Sequence, residues 1–376
     1  MKLTCLQENL SKGLSIVGRA IGTRTTLPIT NNVLLTAEES RFRLCATNLE
    51  MAITCWIGSK VDRAGSITVP ARLLSEFIAS LPNDKVDIEL PPKGRTLQLH
   101  CARFEARISG IEAEDFPPIP QVEGLTATIE ASALRQGIAQ VAFAAAADES
   151  RPVLTGIHCD FEEDRLTLAS ADGFRLAVHK TTLASPVSGK AAVIIPARSM
   201  AELSHLLSDE DEKVEIRINV QKSQALFKFK NLEMVSQLIQ GNFPNYNQLI
   251  PKNYATRAEV GVADFLRATK AASTFARDGS GILRVQVTPG AELTPGKVAV
   301  SARAEEIGDN MGEIDATVKG ETAKIAFNSK YLLDVLNAIG QGQVALETTT
   351  PSSPGVIRPI GQDNYVHVIM PMFVQW

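Results

Sequence analysis

The chain repeats one pattern three times, and this limits its possible folds more than any other feature of its 376 residues. Residues 10–17 read LSKGLSIV and residues 134–141 read LRQGIAQV, a shared L-x-x-G-[LI]-x-x-V. Leu10, Leu14 and Val17, like Leu134, Ile138 and Val141, are spaced as the apolar stripe of an amphipathic helix. A looser third copy passes through Phe265, Thr269 and Ala272. The second landmark is clearer. ITVPARLLSEFIASL (67–81), VIIPARSMAELSHLL (193–207) and IAFNSKYLLDVLNAI (325–339) each join a β-rich run to a helix. Pro70 and Pro196 fall at the helix start, where a missing N–H costs least, and Asn328 is the expected N-cap of the third copy.

Alternating strands follow each second helix. Val86, Ile88 and Leu90 precede Leu97, Leu99 and Cys101; Val214, Ile216, Ile218 and Val220 precede Ala225, Phe227 and Phe229. EDFPPIP (114–120) and GNFPNYNQLIP (241–251) close the first two copies, with Phe116 and Phe243 at matching places. These signals predict α+β domains with antiparallel sheets at 1–124, 125–251 and 252–376. Units of this size exceed solenoid repeats, and each is large enough to hold its own core.

The second helices place a basic residue four positions before an acid: Arg72 and Glu76, Arg198 and Glu202, Lys330 and Asp334. The apolar residues lie elsewhere, at Leu74, Phe77 and Ile78, at Met200, Leu203 and Leu207, and at Leu333 and Leu336, so the charged faces are expected to be exposed. The first helices add Lys12, Arg19, Arg135, Arg267 and Lys270 off their stripes. The residues alone allow two readings: local ion pairs on solvated helices, or cations repeated so as to face a phosphate backbone. A net charge of −4 argues mildly against a protein that simply coats nucleic acid, so only the placement of the cations supports the second reading.

Most catalytic chemistry lacks a motif. Gly189-Lys190 and Gly296-Lys297 have neither the upstream glycine nor the hydroxyl residue of a P-loop, and the Gly279 and Gly340 pairs lack the third glycine of a dinucleotide fingerprint. Cys5, Cys45, Cys55, Cys101 and Cys159 are scattered without paired spacing, as are the five histidines. That predicts buried free thiols, with neither a disulfide framework nor a metal site. The run Asp209-Glu210-Asp211 is expected to be a solvated turn. No cofactor is implied, and an enzyme would need a site assembled from distant residues. No apolar run is long enough to span a bilayer, and Gln7, Glu8 and Asn9 interrupt any signal-peptide core, so a cytoplasmic location is expected.

TRTTLPITNNVLL (23–35), ADGFRLAV (171–178) and SPGVIRPIGQDNYVHVIMPM (353–372), in this order and on a threefold repeat, resemble the bacterial DNA polymerase III beta subunit, the sliding-clamp family, over the whole chain. The resemblance implies three clamp-fold domains per chain. It also implies a head-to-tail homodimeric ring, with helices lining the hole and sheets outside. Duplex DNA would be held by topology, and no catalysis is implied. The phosphate-facing reading of Arg72, Arg198 and Lys330 then becomes the preferred one, with Arg24 as a loop contact to DNA and Asp148 and Glu149 replacing the polar or basic groups of relatives nearby.

A groove for short peptides of the polymerase alpha subunit, clamp loader and repair polymerases is implied at Leu154, Ala171, Gly173, Phe174, Arg175, Leu176, Pro244, Leu249, Val368, Met370, Pro371 and Met372. The ring seam is implied at Ile78 and Ile108 facing Thr274 and Phe275, with Glu305 and Glu306 paired to bases opposite. Phe174, Gln248 and the ending Phe373-Val374-Gln375-Trp376 depart from the family pattern; they predict a more apolar groove, with Trp376 folded over it or free. The rival to this reading is a repeat-built interaction scaffold that binds no nucleic acid.

Overall fold

A computed structural model describes residues 1–22, 27–92, 94–208, 212–277, 281–291, 294–304 and 308–376. The described residues form mixed helices and antiparallel sheets in three successive repeats. Each repeat contributes two helices: α1 (Gln7–Val17) and α2 (Ala71–Ser80), α3 (Ala131–Val141) and α4 (Ala197–Leu206), then α5 (Val262–Arg277) and α6 (Ser329–Ile339). No helix among the described residues is long and apolar enough to cross a membrane.

The repeated helix motif has a packing cause. Leu10, Leu14 and Val17 are buried, as are Leu134, Ile138 and Val141, and Phe265, Thr269 and Ala272 in the third copy. The glycine inside the motif marks a close approach of helix to sheet. A Cβ at Gly13 would lie 2.6 Å from Leu44 Cδ1, and one at Gly137 would lie 2.9 Å from Leu168 Cδ1. Pro70 and Pro196 end the preceding strands, one residue ahead of the helices they were expected to open. The Asn328 side chain does cap α6, accepting from Lys330 N at 2.9 Å.

Compactness does not follow the repeats. One unit comprises Met1–Ser132, Leu183–Gly189 and Glu202–Leu238; the other comprises Ala133–Thr182, Lys190–Ala201 and Ile239–Trp376. The reason is strand pairing. In the first unit, an eight-stranded sheet crosses from repeat one to repeat two where Leu232–Ser236 pairs with Met51–Cys55. In the second, a twelve-stranded sheet crosses from repeat two to repeat three where Arg175–His179 pairs with Tyr365–Ile369. Backbone hydrogen bonds therefore continue across the repeat boundaries.

The outer edges of these sheets are covered in the same way in each repeat. Thr68 N donates to Ile111 O, Ile239 N to Ile194 O, and Met372 N to Ala326 O, so a returning segment shields each edge strand. Two details differ from expectation. Val220 lies past its strand in an exposed turn. On α6 the buried residues are Leu332, Val335 and Leu336, which leaves Leu333 half-buried.

Candidate functional site

The most developed surface feature is an apolar groove in the second unit. Leu176 and Val178 on one strand and Val366 and Val368 on its neighbour form a floor, extended by Ala169 and Val356. Phe243, Tyr246 and Ile250 from the segment after repeat two pack against it, as does Ala171. Around this floor Phe174 is 58% exposed, Leu249 56% and Met370 44%. Large apolar side chains at such exposure beside a dry floor form a surface suited to a partner.

The DGFR turn explains how Phe174 is held outward. Asp172 Oδ1 accepts from the backbone N–H of both Phe174 and Arg175, at 2.9 and 3.0 Å. Gly173 has φ of +95°, and a Cβ there would lie 2.8 Å from Arg151 Nη1. Met370 N then donates to Phe174 O at 2.8 Å, which joins this turn to the strand carrying Val366 and Val368. Leu154 is buried nearby in sequence, Pro244 is exposed, and Pro371 and Met372 are half-buried.

Arg175 departs from its expected place in the groove. Strand alternation turns it away from Phe174 and Leu176 and buries it to 7% exposure. Its Nε donates to Asp172 at 3.0 Å, its Nη1 to Asp334 at 2.6 Å, and its Nη2 to the Phe143 carbonyl. The guanidinium also lies 4.4 Å from the Tyr331 ring centroid and 5.4 Å from that of Phe143. Arg175 is therefore a buried tie between the groove strand and α6. On the same inner side, burial pushes His179 down to about 4 and His367 to about 3, so both imidazoles are neutral at pH 7. His179 Nδ1 sits 2.7 Å from Gln140 Oε1.

The charged helix faces also pair differently from the local spacing. Arg72 Nε does donate to Glu76 at 2.8 Å, which raises the Arg72 pKa. Glu202, however, accepts from Arg19 at 3.1 Å, and Asp334 accepts from Arg175. Asp334 is mostly covered, so the charged face of α6 is only partly exposed, contrary to expectation. Lys12, Arg198, Lys270 and Lys330 are exposed, Arg267 is exposed and paired with Asp264 at 3.2 Å, and Arg135 is half-buried. Arg24 lies outside the described residues. Asp148 is turned onto Ser150, whose hydroxyl and N–H hold its carboxyl below the usual carboxylate range.

The expected seam residues divide. Ile78 and Ile108 are buried within the chain, on the packed stripe of α2 and the inner side of a strand, so their side chains offer no surface to a second copy. Thr274 is exposed and Phe275 half-buried on α5, while Glu305 and Glu306 lie outside the described residues. Unpaired strand edges provide another surface. Phe104–Ser109 ends the five-stranded sheet, with Phe104 exposed. In the strand Gly308–Gly320, residues 308–316 pair among the described residues only with 296–304, whereas 317–320 pair with Thr256–Glu259.

The sequence reading missed Phe243, Tyr246 and Ile250 as groove walls. The one trace of them in the sequence is the recurrence of Phe116 at Phe243, which marks a repeat end. Trp376 does not hang free: Lys324 Nζ lies 5.5 Å from its ring centroid, and Arg284 reaches Gln375 O at 3.5 Å. The five cysteines are buried free thiols, and among the described residues no group of His, Cys, Asp or Glu is arranged to hold a metal.

Three family descriptions match in succession: DNA polymerase III beta subunit, N-terminal domain over residues 1–120, central domain over 128–245 and C-terminal domain over 247–373. The chain is 31% identical to the beta sliding clamp of Synechococcus elongatus over 377 residues, covering 99% of each. It is 32% identical to that of Staphylococcus aureus over 382 residues, again with 99% of each covered. Among solved structures, the Bacillus subtilis DNA polymerase sliding clamp superposes with a TM-score of 0.94 at 30% identity. The Pseudomonas aeruginosa DNA polymerase III subunit beta gives 0.90 at 27%, and both comparisons cover the whole of each chain.

Proposed function

Because the chain belongs to the DNA polymerase III beta subunit family, the DNA sliding clamps, we propose that two copies close head to tail around duplex DNA and tether the replicative polymerase without catalysing a reaction. The domain boundaries in this reading fall near residues 124 and 251. One observation carries it: the same junction occurs twice within the chain, and the halves of a third are left unpaired. The last strand of repeat two pairs back onto repeat one, and the last strand of repeat three pairs back onto repeat two. The corresponding strand of repeat one, Phe104–Ser109, and the early part of Gly308–Gly320 in repeat three have no such partner among the described residues. Pairing between two copies satisfies both edges twice over and closes a ring. The edges also differ in net charge, since Arg103, Glu105 and Arg107 lie along one while Asp309, Glu313 and Asp315 lie on the other.

Within the ring, Lys12, Arg19, Arg72, Arg135, Arg198, Arg267 and Lys330 face phosphate, with Arg24 on a loop. Such contacts carry no sequence information, so the ring slides. Each added phosphate contact steepens the salt dependence of binding by about one unit in a log–log plot, so a mobile clamp keeps them few and weak. The groove floored by Leu176 and Val368 takes short apolar peptides of the polymerase alpha subunit, the clamp loader and repair polymerases in turn, in the cytoplasm. Micromolar exchange requires only about 8 kcal/mol, within reach of a few buried anchors.

The test is to load the protein onto nicked circular DNA and then cut the circle. Retention on the circle with rapid loss from the linear product is expected. Equal retention on both forms would refute encirclement, and no retention on either favours the scaffold reading.

A further inference from the structure

The acids on the second helices have a use that their spacing hides. Glu76, Glu202 and Asp334 occupy matching positions on α2, α4 and α6. Glu202 reaches back to Arg19, in the turn that follows α1. Asp334 takes Arg175, which also binds the carbonyl of Phe143 in the turn that follows α3. At both internal junctions, then, the acid of one repeat meets a guanidinium at the end of the first helix of the preceding repeat. Repeat one has no preceding repeat within the chain. Its Glu76 instead folds onto Arg72, with both side chains largely exposed, at 64% and 92%.

The position that matches Arg19 and Phe143 in repeat three, two residues beyond the helical stripe, is Thr274. Thr274 is exposed on α5, its hydroxyl directed to the carbonyl of Lys270 one turn earlier at 3.3 Å, and Lys270 is exposed as well. We propose that Glu76 is the acceptor of the ring seam: on closure it leaves Arg72 and binds Lys270 beside Thr274 on the second copy. This rests on the ring reading above and adds to it the exchange of one ion pair for another. It keeps the expected α2 and α5 at the seam and moves the contact on α2 from the buried Ile78 to the exposed Glu76.

The test is a charge exchange read by sedimentation equilibrium of the full chain at low salt. Glu76→Lys and Lys270→Glu each raise the dimer dissociation constant by about three- to thirty-fold, because separation breaks the pair at both seams. The double variant Glu76→Lys/Lys270→Glu returns to within about threefold of the unaltered protein. Arg72→Gln, which removes the competing donor, leaves the dimer unchanged or tighter. A double variant no better than the weaker single one overturns the proposal while the ring stands, and so does a weaker dimer in Arg72→Gln. An unaltered protein that stays monomeric overturns the ring reading and this proposal with it.

Discussion

The two internal junctions share one backbone plan and differ in what covers them. Between repeats one and two, the closing segment lays Val122 and Ile119 onto Leu226 and Val235. Beside that small cluster lies a cleft of about 480 Å³ lined by Arg43, Thr54 and Trp56 with Arg217 and Lys228, so one side of the junction is polar. Between repeats two and three both sides are apolar, with Leu176 and Val178 against Val366 and Val368, and Phe174, Leu249 and Met370 remain exposed around them. A shared topology thus provides two equivalent surfaces, and the outward-facing side chains decide which one is an exposed apolar groove. On its inner side the second junction is supported by a buried arginine and two neutral histidines, while Arg43, in the outer cleft of the first, stays partly exposed with Glu38 at 3.2 Å.

The strongest test of this contrast is Arg175→Ala. It strands Asp172 and Asp334 beside a covered site, so a loss of about 3–5 kcal/mol in urea unfolding is expected, with peptide binding lost as well. Unchanged stability would mean that the tie does not hold the groove strand. The next effect comes from the histidines. Each accepts its proton at lower pH in the folded chain than in the unfolded chain, where the ordinary value is about 6.5. Stability is therefore full above pH 6.5 and falls as the pH drops towards 4, by on the order of 1.4 kcal/mol per pH unit for each imidazole. Urea midpoints at pH 7, 6 and 5 should show this slope, and His179→Gln should remove about one proton from it. An identical slope in that variant would disprove the assignment.

Smaller effects distinguish the two surfaces directly. Met370→Asp should weaken binding of an alpha-subunit peptide about tenfold or more while leaving the unfolding curve unchanged. Trp56→Asp, in the other cleft, should leave that affinity intact; equal losses would show that the two junctions are not distinguished. Smallest of all, Arg43→Ala should cost less than about 1 kcal/mol, because its ion pair is half in water.

Much of this was legible in the chain. The spacing of Leu10, Leu14 and Val17 placed α1 and its buried face, and the alternation through Val214, Ile216 and Ile218 placed a strand and its inner side. Resemblance located the groove strands through ADGFRLAV, yet counted Arg175 among the groove contacts because a contiguous motif does not state which residues alternate away from it. Phe243 and Tyr246 escaped notice because they reach the floor through a long closing segment that has no periodicity to read.

The amino-acid sequence by itself determined the threefold repeat, the helix stripes and the alternation of strand faces, since these depend on periodic apolar residues and on local backbone preference. Only the tertiary structure decided the partners of the charged groups. Glu202 lies four residues from Arg198 and binds Arg19, and Asp334 lies four from Lys330 and binds Arg175. An ion pair forms with whichever opposite charge packing brings within about 3 Å and shields from water, and proximity along the chain carries little of that information.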